Sequence, residues 1–402
     1  MQPTKQSIHD IFQKERRYLV PLYQRAYVWT RENQWEPLWQ DIEQQALGAL
    51  HAMRSETPLP NHFLGAVVVS GRKTIGLAHP ISEVIDGQQR LTTFQLFLAA
   101  LRDELRSRGD DEGASSLDRL TGNPENSRDP EGRHKVWPTN SDRADYVAVT
   151  TAGAADLVEA LRSEDASGQP VRSRMAEAYL FFAEAIQRFL AGEEMPEVLA
   201  DFEFEERSEA LQIALRDQLL CVVIELEEGD DPQIIFETLN ARGQPLLPSD
   251  LIRNLIFLEA SRRKEDTDRL YERYWSPFDT ERITADRHGE ERFWHQEVRQ
   301  GRLTRPRIDL FMYHFITMQA EREIGIGQLY TEFRSWSGRN VGDVSTLLEE
   351  IARAREVFRR LLDAEGDDPT LVLARRARAL DTGTIYPLLL FLLGLPAEEL
   401  SR

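Results

Sequence analysis

The sequence predicts an α+β protein in which a small mixed-sheet core is joined to a large, mostly α-helical region. Three observations carry this. Two strand-like runs, "HFLGAVVVS" and "HPISEVID", precede a long helical pattern within the first 150 residues. A third apolar run, "LLCVVIEL", at about 219–227, stands alone amid helical sequence and is expected to return to that sheet. From about 265 to 395 the apolar residues recur at helical spacing, as in a helical bundle. Residues 1–150 would therefore form the core and 151–402 the helical region.

In chain order, "IHDIFQKERR" predicts a short helix over 8–17, and "YLVPLY" an extended segment leading into "QRAYVWT". Trp35, Leu38, Trp39, Ile42, Ala46 and Ala49 then mark one face of a helix, with Thr30 or Asn33 as its expected cap. The two tryptophans belong to the core. The strand runs at 62–70 and 79–86 are separated by "GRKTIGLAHP", and a helix over 87–106 follows. The polar stretch 107–134 reads as a mobile loop or excursion. "KVWPTN" returns to order, and Asp142 is expected to start another helix. "RSRMAEAYLFFAEAIQRFLA" is amphipathic over five turns, and "DPQIIFETLN" and "SDLIRNLIFLEASRR" are helices flanking a tight turn.

Composition bounds the function. Apolar residues make up 41% and charged residues 29% of 402, an ordinary globular balance with room for a sizeable core. The net charge of −19 argues against a broad nucleic-acid-binding face. Any DNA contact would need a local basic site, for which "RHKVWP" and "SRRKEDTDR" are the candidates, and a solvated charged surface is the competing reading. The single cysteine, Cys221, excludes an internal disulfide and a thiolate metal site, and its apolar neighbours predict a buried small hydrophobe. There is no signal-peptide pattern at the N-terminus, and the longest apolar run, "IYPLLLFLLGL", is short for a membrane span. A cytoplasmic protein without membrane attachment is expected.

The chemistry concentrates in "SEVIDGQQRLTTF". Asp86 could cap the helix with Gln89 completing a capping box, and Gly87 would permit the sharp strand-to-helix turn. Capping leaves Arg90 unexplained, because a cation in the first turn opposes the helix dipole. An anion docked at the turn would explain it. Helix amides, the side chains of Gln88 and Gln89 and the Arg90 guanidinium would hold a phosphate or carboxylate, with Asp86 holding magnesium or orienting water. Both readings stay open on these residues alone. In "YQRAYVW", Tyr23, Tyr27 and Trp29 offer surfaces for stacking and Gln24 and Arg25 contacts for a phosphate; equally, the aromatics would pack the first long helix and Arg25 would make an ion pair. In "FETLNARGQPLLPSDLIRN", Gly243 suits a turn, Asn240 can tie its own backbone, and Ser249 is the expected N-cap, with Asp250 in the first turn. Asn240, Arg242 and Asp250 could instead line a cleft with the 86–90 turn, whereas an Asp250–Arg253 pair would only decorate the surface. His288 and His295, seven residues apart, could share a helical face as metal ligands or belong to a polar surface helix.

Together, "VPLYQRAYVW", "FLGAVVV" followed by "VIDGQQRLTTFQLFLAAL", and "IFETLNARGQPLLPSDLIRNLIF" resemble the amino-terminal module of GmrSD-type restriction and phage-defence proteins, a group that includes the SspE-type nucleases. The family's Asp-Gly-Gln-Gln-Arg signature is unbroken here as Asp86 to Arg90, and the resemblance covers about 1–400. It implies a ParB/sulfiredoxin-like core, hydrolysis of a nucleoside triphosphate (ATP, GTP or CTP) with magnesium, and coupling to modified double-stranded DNA. Asp86, Gln88, Gln89 and Arg90 would be catalytic, with Asp86 a tentative magnesium ligand. Tyr23, Gln24, Arg25, Gly87, Asn240, Arg242, Gly243 and Asp250 would bind nucleotide or DNA.

One departure matters. Relatives of this kind usually carry a carboxy-terminal HNH-type nuclease domain, yet no histidine follows His314. The nuclease is therefore expected outside these residues, as a further domain or a separate chain, and the module could form a homo-oligomer. No Walker loop is present. The expectation is an NTP-hydrolysing sensor; the alternatives are a DNA-nicking module built on Asp86 and a metal, and a non-catalytic sensing scaffold.

Overall fold

The computed structural model describes residues 2–21, 24–55, 59–72, 79–126, 129–151, 173–193, 195–227, 247–281, 293–300, 303–340, 342–363, 369–380 and 382–395. The chain divides into two compact units, Met1–Leu239 and Asn240–Arg402. The first is mixed α+β and the second mostly helical, the fold class the sequence predicts.

A six-stranded sheet organises the first unit. Its strands are β1 (Gln2–Ser7), β2 (Arg17–Leu19), β3 (His62–Arg72), β4 (Ile81–Asp86), β5 (Val136–Trp137) and β6 (Leu219–Leu226). They lie in the order β1-β6-β3-β4-β2-β5. The last strand in sequence is thus an inner one, antiparallel to β1 and parallel to β3. The continuous apolar run of β6 suits a strand covered on both faces. Cys221 within it is fully buried, and burial pushes its thiol up to about 11.

Helix α1 (Ile8–Gln13) starts at a capping box between Ser7 and Asp10 and stops short of Arg17, where β2 begins. A π-helical turn, Arg31–Trp35, leads into α2 (Glu36–Ser55). No side chain caps it. Thr30 is the N-cap residue, as expected, but its side chain makes no capping bond; its carbonyl accepts the first helical bonds, from the Gln34 and Trp35 amides. Helix α3 (Gln88–Ser107) is buried almost continuously from Leu91 to Leu101, which makes it the central pillar. Phe97 meets Phe182 edge-on at 5.5 Å and Trp39 at 6.4 Å, tying α3 to α6 (Arg174–Ala191) and α2. Each such ring contributes about 1.5–3 kcal/mol by leaving water.

Two expectations fail in this unit. The stretch 107–134 is not a mobile loop: it contains α4 (Asp111–Thr121), capped by Asp110, whose carboxylate accepts from the Gly113 amide at 2.8 Å. Ala114, Leu117 and Leu120 are the buried stripe, diluted in the sequence by Gly, Ser and Asp. Nor is "RHKVWP" a basic patch or a solvated surface. Lys135 is 1% exposed and donates to the Lys14 carbonyl at 2.7 Å, and burial lowers its pKa to about 8. His134 stacks on Trp137, with centroids 4.9 Å apart. After α5 (Asn140–Thr151) and α6, helix α7 (Phe204–Ile213) precedes β6.

In the second unit the first described helix is Pro248–Arg262. Ser249 does not cap it. Leu247 is the N-cap residue and Pro248 the first helical one; the Ser249 amide donates to the Asp309 carboxylate at 3.0 Å. A carboxylate from a distant helix thus satisfies the amide end of this one. Among the described residues of this unit, the other regular elements are helical except for an antiparallel pair, β7 (Glu297–Gln300) and β8 (Leu303–Pro306). No helix among the described residues is long and apolar enough to cross a membrane.

Candidate functional site

The Asp-Gly-Gln-Gln-Arg turn joins β4 to α3. Asp86 ends the strand, and Gly87, at φ +96°, is the N-cap residue of the helix. The left-handed backbone explains the glycine. A β-carbon there would also press on Val67 and the Ala66 carbonyl at 3.1–3.2 Å. Asp86 is therefore not the cap the capping-box reading expected: the helix start lies one residue later, and no side chain caps it. Its first-turn amides point out of the helix end with the positive pole of the dipole behind them.

The three glutamines around this turn bind backbone. Gln24 Nε2 donates to the carbonyls of Val84 and Ile85 at 2.8 and 3.0 Å. Gln88 Nε2 donates to the Arg25 carbonyl at 3.1 Å. Gln89 uses both ends of its amide, donating to the Ala26 carbonyl at 3.0 Å and accepting from the Val28 amide at 2.9 Å. The segment 24–28 is stitched to the turn by four bonds of this kind and a fifth from Val28, which is why Arg25 sits beside Asp86. Tyr27 is buried and offers no stacking face. Its hydroxyl lies 2.7 Å from Thr93 Oγ1 and accepts from Trp35 Nε1 at 2.8 Å, and burial raises its pKa.

The charged groups are Asp86, Arg90 and Arg25. Burial holds the Asp86 carboxyl above the usual carboxylate range, although Arg90, the Gly87 amide and Arg25 all pull it down. Arg90 Nη1 donates to the Ala66 carbonyl at 2.5 Å. That carbonyl belongs to a bulge in β3, where pairing with β6 slips between Phe63 and Ala66. Gly65 in the bulge has φ +107°, and the Arg90 guanidinium lies across it. Sequence reasoning missed Gly65 and Ala66. The available signal was a glycine interrupting a strand run, the usual mark of a bulge or of close approach to a backbone.

The structure thus gathers Gln24, Arg25, Asp86, Gly87, Gln88, Gln89 and Arg90 at one turn. Tyr23, Asn240, Arg242 and Gly243 lie outside the described residues, as do His288 and the "DPQIIFETLN" helix. Asp250 belongs to the second unit. It does pair with Arg253, at 2.9 Å, but the pair is buried, not surface decoration. Arg253 also reaches Asp279, at 3.3 Å, and the Tyr271 hydroxyl donates to Asp279 at 2.8 Å. His295 Nε2 lies 3.6 Å from Asp279. No group of three or more His, Cys, Asp or Glu side chains suited to a metal ion occurs among the described residues.

Residues 8–257 match the family described as GmrSD restriction endonuclease, N-terminal domain. No curated protein matches the chain.

Proposed function

Since the chain belongs to the family of GmrSD restriction endonuclease N-terminal domains, we propose that it is a nucleoside-triphosphate-hydrolysing sensor module of an anti-phage restriction system that acts on modified DNA. The observation that carries this reading is the uncapped start of α3 with two guanidiniums and one desolvated carboxyl around it. We include in the proposal a ParB/sulfiredoxin-like relationship for the sheet and a kinship with SspE-type nucleases.

The donor set fits a magnesium triphosphate. Uncapped helix amides, Arg90 and Arg25 would bind phosphate oxygens. Asp86 would hold the cation, which commonly takes only one or two protein carboxylates beside phosphate and water. Such a bound group supplies the phosphoanhydride to be cleaved and a cation that neutralises its charge. Arg90 would stabilise negative charge developing on the transferred group. Alternatively, Asp86 would leave the cation to the phosphates and water and would itself orient the attacking water. Gln24, Gln88 and Gln89 would act by holding 24–28 and the turn in register. Modified DNA and an HNH-type nuclease domain or chain would be the partners.

The test is phosphate release by the 402-residue chain with magnesium and each of ATP, GTP and CTP, with and without modified DNA. Release is expected without DNA cleavage, and Arg90→Ala should abolish it. Release at the parental rate in Arg90→Ala would remove the proposed role. Nicking lost in Asp86→Ala would establish the nuclease reading instead, and binding without turnover the scaffold reading.

A further inference from the structure

Arginines are common on this acidic chain, and carboxylates neutralise many of them. Arg72 pairs with Glu83, Arg106 with Asp118 and Arg108 with Glu104. Two exposed arginines of the first unit differ. Arg31, in the π-helical turn, and Arg174, the first residue of α6, have no carboxylate partner. Glu32 follows the one and Glu177 lies one turn beyond the other, yet neither pairs with it. Uncharged groups hold both arginines instead. Arg174 Nη1 donates to the Val28 carbonyl at 2.8 Å, and the Arg31 guanidinium lies 5.0 Å from the ring centroid of Phe181. A carbonyl bond takes one of the five N–H donors of a guanidinium and cancels none of its charge. Both cations are thus positioned without being neutralised.

Their seats follow one another along the surface. Arg174 and Phe181 are seven residues apart on α6, so they share a helical face and lie about 10 Å apart along it. Arg31 sits at the far end of that interval, over Phe181. At the near end, Val28 accepts from Arg174 and donates its own amide to Gln89. The positive charge therefore continues from α6 through the 24–28 segment to the turn that carries Arg90, with Arg25 between.

We infer that Arg31 and Arg174 are backbone contacts for duplex DNA, which they lead up to the turn. The inference rests on the DNA partner given in the proposed function and adds the surface on which that partner lies. Separated charges in a row suit a polyanion, whose phosphates recur roughly every 3.4 Å along each strand. A single small anion would call for a compact cluster. Guanidiniums match phosphate oxygens in geometry, and such contacts fix position while reading neither sequence nor modification. The net charge of −19 repels DNA elsewhere, which makes a short stretch of unpaired cations decisive for where it lands.

The test is the salt dependence with which the 402-residue chain binds a short unmodified DNA duplex, followed by fluorescence anisotropy between about 50 and 200 mM salt. Arg31→Gln and Arg174→Gln should each flatten the slope of log K against log salt by about 1, and the double substitution by about 2. Arg31→Lys and Arg174→Lys keep the charge and should keep the parental slope. Phosphate release without DNA should be the same in all of them, and thermal melting identifies any chain that has lost its fold. Parental slopes in both folded glutamine variants, or an equal flattening in the lysine variants, would overturn the inference while leaving triphosphate turnover in place. A parental chain that binds no duplex would overturn it together with the DNA partner. The expected slopes in a chain that releases no phosphate would support it and remove the hydrolytic reading alone.

Discussion

The Arg90 guanidinium lies across the backbone of Gly65, so closely that a β-carbon on Gly65 would meet Arg90 Nη2 at 2.9 Å. The bulge in β3 therefore sets where the signature arginine can sit. Gly65→Ala should displace the guanidinium and strain a backbone at φ +107°, costing about 1–2 kcal/mol. Under the proposed function, triphosphate turnover should fall at least tenfold while the sheet persists. Circular dichroism and phosphate release measure the two effects separately, and unchanged turnover in a folded Gly65→Ala chain would remove the bulge from the site's design.

Gln89 is a clamp on the 26–28 backbone. Gln89→Ala leaves the Ala26 carbonyl and the Val28 amide without that partner in a largely buried place. The expected loss is about 2–3 kcal/mol in chemical denaturation. Gln89→Glu should restore the acceptor towards Val28 but not the donor towards Ala26, so its stability should fall below the parent's. A Gln89→Ala chain as stable as the parent would show that the clamp contributes nothing.

Asp86 sets activity against stability. Its folded pKa is raised, so its favourable contribution is complete below the unfolded carboxylate range and disappears as pH rises through the folded value. At pH 7 the ionised group is thus a net cost. Asp86→Asn should stabilise the chain at pH 7 by about 1 kcal/mol and abolish turnover. The stability gain should shrink as pH is lowered. A destabilised Asp86→Asn chain at pH 7 would mean that Arg90 and Arg25 outweigh desolvation.

His314 in the second unit acts in the opposite direction. Burial lowers its pKa to about 3, among the rings of Tyr313, Phe358 and Tyr386. Its contribution is present above the unfolded histidine range and is lost as pH falls. Between pH 6.5 and pH 5 that loss amounts to about 1.6 kcal/mol, because the slope is half of about 1.4 kcal/mol per pH unit at the unfolded pKa and reaches the full value only below it. Denaturation midpoints at the two pH values, compared with those of His314→Phe, check it: the substituted chain should show less acid sensitivity.

Much of the frame was legible because period and punctuation agreed. The runs giving β3, β4 and β6, and the apolar stripes of α2 and α6, each match one period over enough residues to exclude the other. Helix α4 escaped because three apolar positions were spread among Gly, Ser and Asp. Lys135 escaped because its burial depends on a carbonyl 121 residues away, at Lys14. At the turn, the sequence singled out seven residues that the structure brings together, but not what the glutamine amides bind. A left-handed Gly87 moves the helix start by one residue, and the partners of Gln24, Gln88 and Gln89 are backbone atoms, which no residue pattern names.

Strand β6 lies between β1 and β3, although it is made some 150 residues after β3. Until the ribosome has delivered Leu226, β1 has no neighbour in the sheet and β3 lacks the strand against which its bulge forms. The seat of Arg90 is therefore assembled late, after most of this unit has emerged. A nascent or prematurely terminated chain ending before β6 would carry the whole signature without the strand that completes the seat of its arginine.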